Sequence, residues 1–239
     1  MTEVLFHDAY LKTATAKVTA HSDAGGVILD RSIFYPTGGG QPGDAGHLEW
    51  NGAQTRISMA VKGQNGAIVL MCADGAQVPP IGSAVAQHLD WEQRHRFMRV
   101  HTALHLLSVV IPLPVTGGQI SCDKGRLDFQ MPEAPEDKQA IEDTLNELIA
   151  QDLIVSDSWI TDAELAAKPE MVKTMSVKPP TGAGHVRLVR IGLPDFQIDL
   201  QPCGGTHVTN TSEIGAMRLG KIENKGKQNR RVNIHLIDV

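Results

Sequence analysis

The sequence has few cysteines and no long apolar run. Its 239 residues include only three cysteines, Cys72, Cys122 and Cys203, and their wide spacing argues against a disulfide framework. No apolar run reaches the roughly 18 residues of a transmembrane helix, because two prolines interrupt the most apolar stretch, residues 104–115. The N-terminus has neither a basic start nor an apolar signal core. These absences predict a cytoplasmic protein without a membrane partner.

The chain is long enough for one large domain or two small ones, each with its own core. Residues 1–90 contain short apolar segments separated by Gly-Gly, Asn-Gly and Asp-Gly pairs, which favour tight hairpin turns. We predict a β-rich N-terminal domain here, in the form of a small barrel or a strongly curved sheet. Residues 91–239 mix helical and strand patterns without regular β-α-β order, which predicts an α+β domain.

Local signals place the elements of this second region. Asp90 is expected to cap a helix that Pro112 ends. Pro135 is expected to open a second helix, and Thr161 to cap a short third one. Residues 196–201 alternate strictly between apolar and polar side chains, which predicts a strand that ends just before Cys203.

Two short segments each offer a pair of metal ligands. His101 and His105 are four residues apart in the predicted helix, so both rings can face one point. Cys203 and His207 have the same spacing, and the two glycines between them permit a sharp turn. Imidazole and thiolate suit zinc better than magnesium or calcium. We therefore predict one Zn²⁺ ion per chain, with its ligands drawn from these four residues.

A glycine-rich segment, residues 36–43, lies in the β-rich region. Its three consecutive glycines allow a backbone to approach a ligand closely. Thr37 and Gln41 would supply a hydroxyl and an amide there, which makes them candidate catalytic-site residues. The alternative is that the segment is simply a long turn.

Positive charge is concentrated in two places, although the formal net charge is −5. One group, Arg94, Arg96 and Arg99, precedes the histidine pair. The other is a predicted phosphate-binding surface, here called the basic patch: Lys221, Lys225, Lys227, Arg230 and Arg231. Local patches rather than the total charge set the field that phosphates experience, but either group could also be an ordinary solvated face.

Three blocks of sequence resemble one known family. They are residues 34–44, residues 99–107, and residues 201–208 with Glu213-Ile-Gly215 after them. They resemble the editing domain of alanyl-tRNA synthetases and, more closely, the free-standing trans-editing proteins of the AlaX type. The resemblance covers essentially the whole chain, in the family's order. A related editing domain exists in threonyl-tRNA synthetases, but the glycine-rich segment favours the alanyl branch.

The resemblance implies a hydrolase that deacylates mischarged tRNA(Ala), carrying serine or also glycine, at a zinc site. It also implies a β-barrel-like N-terminal domain followed by an editing domain of the kind common to threonyl- and alanyl-tRNA synthetases. Thr37 and Gln41 would then recognise the serine hydroxyl. Two alternatives stay open: a non-catalytic zinc-containing tRNA-binding module, and a metal-dependent hydrolase of small esters or amides.

Overall fold

The computed structural model describes residues 1–173 and 184–237. The chain divides into two compact units, Met1–Phe97 and Met98–Val239. Helix α1 (Trp91–Val110) begins in the first unit and ends in the second, so the domain boundary at residue 90 stays a prediction. Among the described residues, no helix is both long enough and apolar enough to cross a membrane.

A closed six-stranded barrel forms most of the first unit. The strands of this unit are β1 (Glu3–Val4), β2 (Thr13–His21), β3 (Val27–Leu29), β4 (Arg31–Ser32), β5 (Gly46–Trp50), β6 (Ala53–Lys62), β7 (Ile68–Cys72) and β8 (Ala84–Leu89). Neighbours around the barrel follow the order β2-β3-β7-β6-β5-β8, and every one of these pairs is antiparallel. Strands β1 and β4 form a short parallel pair. The predicted barrel is confirmed.

Turn chemistry and alternation explain why this segment forms a barrel. Asn51 and Gly52 both have positive φ, 46° and 77°, as the tight turn between β5 and β6 requires. Apolar side chains on alternate positions then point inward, and Leu48, Ile57 and Leu70 are fully buried in the resulting core.

The second unit contains two antiparallel sheets and the helices packed with them. Its strands are β9 (Val115–Ile120), β10 (Lys124–Gln130), β11 (Val155–Thr161), β12 (His185–Leu193), β13 (Phe196–Pro202), β14 (Met217–Asn224) and β15 (Asn229–Leu236). One sheet has the order β14-β15-β10-β9 and the other β11-β12-β13. Helices α2 (Lys138–Ala150) and α3 (Asp162–Ala166) follow α1 in the chain. The predicted α+β class is confirmed.

Capping residues set where the helices begin. The Asp90 carboxylate accepts a hydrogen bond from the Gln93 amide at 3.2 Å, so the predicted cap of α1 is confirmed, and α1 ends before Pro112. Thr161 forms the predicted capping box with Glu164.

Helix α2 begins later than predicted. The sequence pointed to Pro135, whereas the first helical residue is Lys138. The Asp137 side chain accepts from the Ala140 amide at 2.9 Å, and this bond fixes the start of the helix because it satisfies an amide that has no partner within the first turn.

Candidate metal centre and active site

Helix α1 and the loop after β13 bring the four predicted ligands together. His101 and His105 lie one turn apart on α1, and Cys203 and His207 follow the end of β13. One donor atom from each residue lies within 4.8 Å of the other three. The Cys203 Sγ is 3.4 Å from His101 Nε2 and 3.3 Å from His207 Nε2. The cluster can therefore hold one metal ion.

The size of the cluster fits a tetrahedral ion. Zinc bonds of about 2.1 Å to nitrogen and 2.3 Å to sulfur place neighbouring tetrahedral donors roughly 3.3–3.8 Å apart, and the two measured separations from Cys203 Sγ meet the lower end of that range. The three histidines are only 5–7% exposed, so the donors are already held within the fold. Three imidazoles and a thiolate form a donor set suited to zinc.

A buried carboxylate orients His105. Asp199 Oδ2 lies 3.0 Å from His105 Nδ1, and because a carboxylate only accepts hydrogen bonds, Nδ1 carries the proton. Lys173 Nζ donates to the other oxygen of Asp199 at 2.6 Å, and Gln201 Nε2 donates to Oδ2 at 2.8 Å. These bonds hold Asp199 in place and leave His105 Nε2 for a metal.

A threonine hydroxyl orients His207. Thr102 Oγ1 donates its only proton to the carbonyl of Met98 at 2.9 Å. It must therefore accept from His207 Nδ1, which is 3.1 Å away. The Val208 amide donates to the same hydroxyl at 3.3 Å. His207 Nε2 is thus unprotonated and faces Cys203. Thr102 therefore fixes the tautomer of this imidazole ring.

Electrostatics favour ionised partners around this cluster. Burial opposes charge on His105 and on Asp199, but the hydrogen bond between them and the charge of each on the other outweigh burial. They raise the pKa of His105 to about 9, with help from Cys203, and lower the pKa of Asp199 to about 2, with help from Lys173. Burial also raises the pKa of Cys203, yet His101 and His207 hold it well below its usual value. This shift favours the thiolate, the form that binds metals.

An arginine supports the loop that carries Cys203. Arg187 on β12 donates from Nη1 to the carbonyls of Cys203 at 3.3 Å and Gly205 at 2.8 Å. Its Nε donates to Asp157 at 3.2 Å, and the residue is buried. These two carbonyls lie in the loop after β13, where no strand or helix among the described residues provides them with a backbone donor. The guanidinium supplies that donor and so fixes the backbone between Cys203 and His207.

Sequence reasoning missed these supporting residues, but one signal was available. In β13 the polar residues Asp199 and Gln201 are buried, whereas the alternating apolar face is the more exposed one, with Phe196 exposed. A strand whose polar face is directed inward just before a candidate ligand indicates a polar site. Lys173 and Arg187 carried no comparable signal, because they reach the site from other elements.

The glycine-rich segment forms a tight turn in the first unit. Gly38 and Gln41 exchange two backbone hydrogen bonds of 3.0 Å, and Gly39 and Gly40 between them have φ values of 58° and 84°. Two consecutive positive φ values are readily adopted only by residues such as glycine.

The two candidate side chains of this segment differ in exposure. Thr37 is exposed, and its Oγ1 accepts from the Gly43 amide at 2.9 Å and donates to the carbonyl of Ala60 at 3.3 Å. Gln41 is buried. Their assignment to the catalytic site stays a prediction.

Arg94 does not belong to a surface patch, contrary to the sequence interpretation. Its guanidinium is buried and forms an ion pair with Asp44. It also donates to the carbonyls of Ala9 at 3.1 Å and Ile33 at 2.8 Å. The arginine thus joins the first turn of α1 to the barrel, because a buried charge must be paired.

The basic patch lies on the hairpin of β14 and β15. Arg231 forms two hydrogen bonds with Asp128, at 2.8 and 2.9 Å, and Lys225 pairs with Glu223 at 3.1 Å. Arg230 donates to the backbone carbonyls of Gly226 and Asn229 at the turn and to that of Pro132, which lies elsewhere in the chain. Lys221 and Lys227 are exposed and form no ion pair among the described residues. The five positions share one hairpin, while their role in tRNA binding stays a prediction.

Two family models match this chain. Residues 186–233 match the threonyl and alanyl tRNA synthetase second additional domain, which includes Cys203 and His207. Residues 4–93 match the model described as tRNA synthetases class II (A), which spans the barrel.

Curated relatives cover the whole chain. The alanyl-tRNA editing protein AlaX-M of Methanosarcina barkeri is 37% identical over 249 positions, and the alignment covers all of both chains. The protein of the same name from Methanosarcina acetivorans is also 37% identical with full coverage of both. The alanine–tRNA ligase of Pyrobaculum neutrophilum is 32% identical over 92% of this chain but only 25% of its own length. The chain therefore belongs to the family of AlaX-M alanyl-tRNA editing proteins.

Proposed function

We propose that the protein hydrolyses the aminoacyl ester of mischarged tRNA(Ala) at a zinc ion held by His101, His105, Cys203 and His207. One observation carries the proposal: four preoriented donors meet in a chain whose relatives are named alanyl-tRNA editing proteins. Within this proposal the enzyme acts in the cytoplasm, where aminoacyl-tRNA is used for translation.

The chain's own residues would prepare the site for this reaction. When bound, zinc supplies Lewis acidity for attack on an ester carbonyl. Asp199 and Thr102 keep the Nδ1 protons of His105 and His207 in place, so that both rings present Nε2 to the ion. Cys203 would contribute negative charge that partly neutralises the ion. The low exposure of the three histidines keeps bulk water away from their donor atoms.

Serine is the proposed primary amino acid, with glycine as a second substrate. A pocket fitted to alanine discriminates against an added hydroxyl by only about a hundredfold, and glycine, being smaller, also enters. A second site that hydrogen-bonds the serine hydroxyl can prefer serine to alanine by roughly 10⁴-fold, because alanine leaves its polar groups unpaired.

We further propose that Thr37 reads the serine hydroxyl, together with Gln41. The proposal is supported by the exposure of Thr37 and by its hydrogen bonds. A hydroxyl has one donor and two acceptor positions; its bonds to Ala60 and Gly43 use the donor and one acceptor. The remaining acceptor position would receive the serine O–H.

Two substitutions at position 37 test this role. Thr37→Val removes the hydroxyl and should slow deacylation of Ser-tRNA(Ala) by about ten- to a hundredfold relative to Gly-tRNA(Ala). Thr37→Ser keeps the hydroxyl and should retain the wild-type ratio of the two rates. An equal fall of both rates in Thr37→Val would instead assign the hydroxyl to holding the turn.

We also propose that the basic patch contacts tRNA phosphates. Since Arg231 and Lys225 share their charge with Asp128 and Glu223, the exposed Lys221 and Lys227 should contribute more. Each lost phosphate contact should lower the slope of log affinity against log salt by about 0.7–0.9. The experiment compares Lys221→Gln and Lys227→Gln with Arg231→Gln in tRNA titrations at several salt concentrations. If all three variants kept the wild-type slope, the basic patch would be an ordinary solvated surface that does not contact tRNA.

Deacylation assays test the function itself. The full chain is incubated with Ser-tRNA(Ala), Gly-tRNA(Ala) and Ala-tRNA(Ala), before and after treatment with a chelator and after adding zinc back. We expect hydrolysis of the first two, little hydrolysis of the third, loss with the chelator and recovery with zinc. Activity that is indifferent to the chelator in protein shown to be metal-free would overturn the zinc-dependent reaction.

One observation favours a second candidate, a non-catalytic tRNA-binding module with structural zinc. Four protein donors are typical of structural zinc sites, whereas catalytic sites usually keep a position open, and here four donor atoms lie within 4.8 Å of one another. This candidate predicts tRNA binding with no deacylation in the same assay, with the metal required only for folding.

A further inference from the structure

A second cluster of metal-binding side chains lies on the barrel. His47 on β5 and His88 on β8 are directly opposite each other in the antiparallel pair. Glu49 is two residues beyond His47, and side chains two apart on a strand share a face. One donor atom from each of the three lies within 4.8 Å of the other two. None of them belongs to the four-donor cluster of the second unit.

The donor atoms of this barrel cluster lie close together. The two imidazole rings are stacked, with centroids 4.6 Å apart and an interplanar angle of 8°. His47 Nε2 is 3.3 Å from one oxygen of Glu49, and His88 Nε2 is 3.6 Å from the other. The two nitrogens therefore lie near different oxygens of the same carboxylate.

One of these nitrogens has no hydrogen bond. His88 Nε2 is inaccessible to solvent and has no hydrogen-bond partner among the described residues, since 3.6 Å is too long for a hydrogen bond to Glu49. A buried polar atom without a partner costs about 1–3 kcal/mol and is uncommon in native proteins. A bound cation would satisfy this atom.

Access and charge are both compatible with a cation. A cleft of about 450 Å³ adjoins the cluster and is lined by His47, Gln54, Arg56 and Asp90, among others. Arg56 lies opposite His47 on the neighbouring strand and adds one positive charge. The carboxylates of Glu49 and Asp90 exceed it by one negative charge, so the surroundings do not repel a divalent ion.

We infer that His47, Glu49 and His88 form a second metal site that binds an exchangeable divalent transition-metal ion of the zinc or nickel kind. Two imidazoles and a carboxylate suit these ions rather than magnesium or calcium. Three protein donors leave coordination positions for water, and the side chains are 30–51% exposed. The site therefore binds metal more weakly than the four-donor cluster does. The inference is independent of the proposed function, because the two sites share no residue.

Metal content measures this second site directly. The full chain, carrying no added histidine tag, is dialysed against micromolar free Zn²⁺, and bound zinc is measured by elemental analysis. We expect wild type to bind one equivalent more than the double variant His47→Gln/His88→Gln. His21→Gln is the matched control, since His21 is also on the barrel but contacts the carbonyl of Pro79. It should bind as much zinc as wild type.

Equal zinc content in wild type and the double variant would overturn the inference. Glu49→Gln should weaken zinc binding at this site without abolishing it. Loss of a residue behind a ligand typically lowers metal affinity 10–100-fold, so loss of the ligand Glu49 should lower it by at least about tenfold. Wild-type protein provides a measurement that needs no variant. In ¹⁵N–¹H imidazole spectra, the signals of His47 and His88 should shift when zinc is added in excess of one equivalent, and unmoved signals would also overturn the inference.

Discussion

The two histidine clusters contain similar side chains on different supports. In the four-donor cluster, Asp199 and Thr102 fix two of the rings through their Nδ1 atoms. In the barrel cluster, among the residues that the structure describes, the rings of His47 and His88 pair only with each other and with Glu49. The comparison shows that ligand identity alone does not make a rigid metal site; the residues behind the ligands decide how well it is preorganised.

Burial adds a second difference. The histidines of the four-donor cluster are almost completely buried, whereas those of the barrel cluster are about one-third exposed. A buried group that loses its partner keeps the full cost of its desolvation, while water replaces the partner of an exposed group. Substitutions should therefore have larger effects in the four-donor cluster, and three substitutions test this order.

Cys203→Ala should have the largest effect. It removes a ligand and the negative charge of the thiolate, so we expect metal affinity to fall by on the order of a hundredfold or more, beyond the loss typical of a supporting residue. The melting temperature should fall as well, because the free energy of metal binding adds to that of folding. Zinc content and thermal unfolding measure the two effects.

Cys72→Ala is the matched control for this substitution. Cys72 is a half-buried thiol on the barrel and is not part of the four-donor cluster. It should retain the zinc content of wild type. If Cys203→Ala kept as much zinc as wild type after dialysis against metal-free buffer, the four-donor assignment would be wrong.

Asp199→Asn should have the next largest effect. The change keeps the shape but removes the charge that fixes His105 and pairs with Lys173. Metal affinity should fall about 10–100-fold, as is typical for the carboxylate behind a ligating histidine. Competition with a chromogenic chelator measures this affinity. The control is Asp128→Asn, which removes a carboxylate paired with Arg126 and Arg231; an equal loss there would reject a specific role for Asp199.

The sequence predicted the elements that depend on local spacing. The helical spacing of His101 and His105 and the glycines between Cys203 and His207 were enough to identify four side chains that the fold does bring together. The Asn51-Gly52 pair similarly identified a hairpin of the barrel, because the turn needs residues that tolerate positive φ.

Contacts between distant segments were not predictable in this way. Lys173 binds Asp199 although the two residues are 26 positions apart, and no sequence pattern links Lys173 to β13. Arg94 looked like a surface charge because its partner, Asp44, lies in the glycine-rich block far earlier in the chain. The side chain of a charged residue can be assigned to the surface or to a buried pair only when its partner is known.

Glu49→Gln should have the smallest effect on stability. Glu49 is about half exposed and its contacts with His47 and His88 are 3.3 and 3.6 Å long, so solvent screens the pair and water can replace it. Without added metal, we expect the free energy of unfolding to change by less than about 0.5 kcal/mol, the usual range for a surface substitution. Chemical denaturation of wild type, Glu49→Gln and Asp199→Asn, all stripped of metal, compares the two carboxylates directly. Asp199→Asn should be clearly less stable, because the buried His105 and the partly buried Lys173 lose the countercharge of a fully buried carboxylate. Equal losses in the two variants would mean that the barrel cluster is as tightly built as the buried one, and that exposure does not distinguish them.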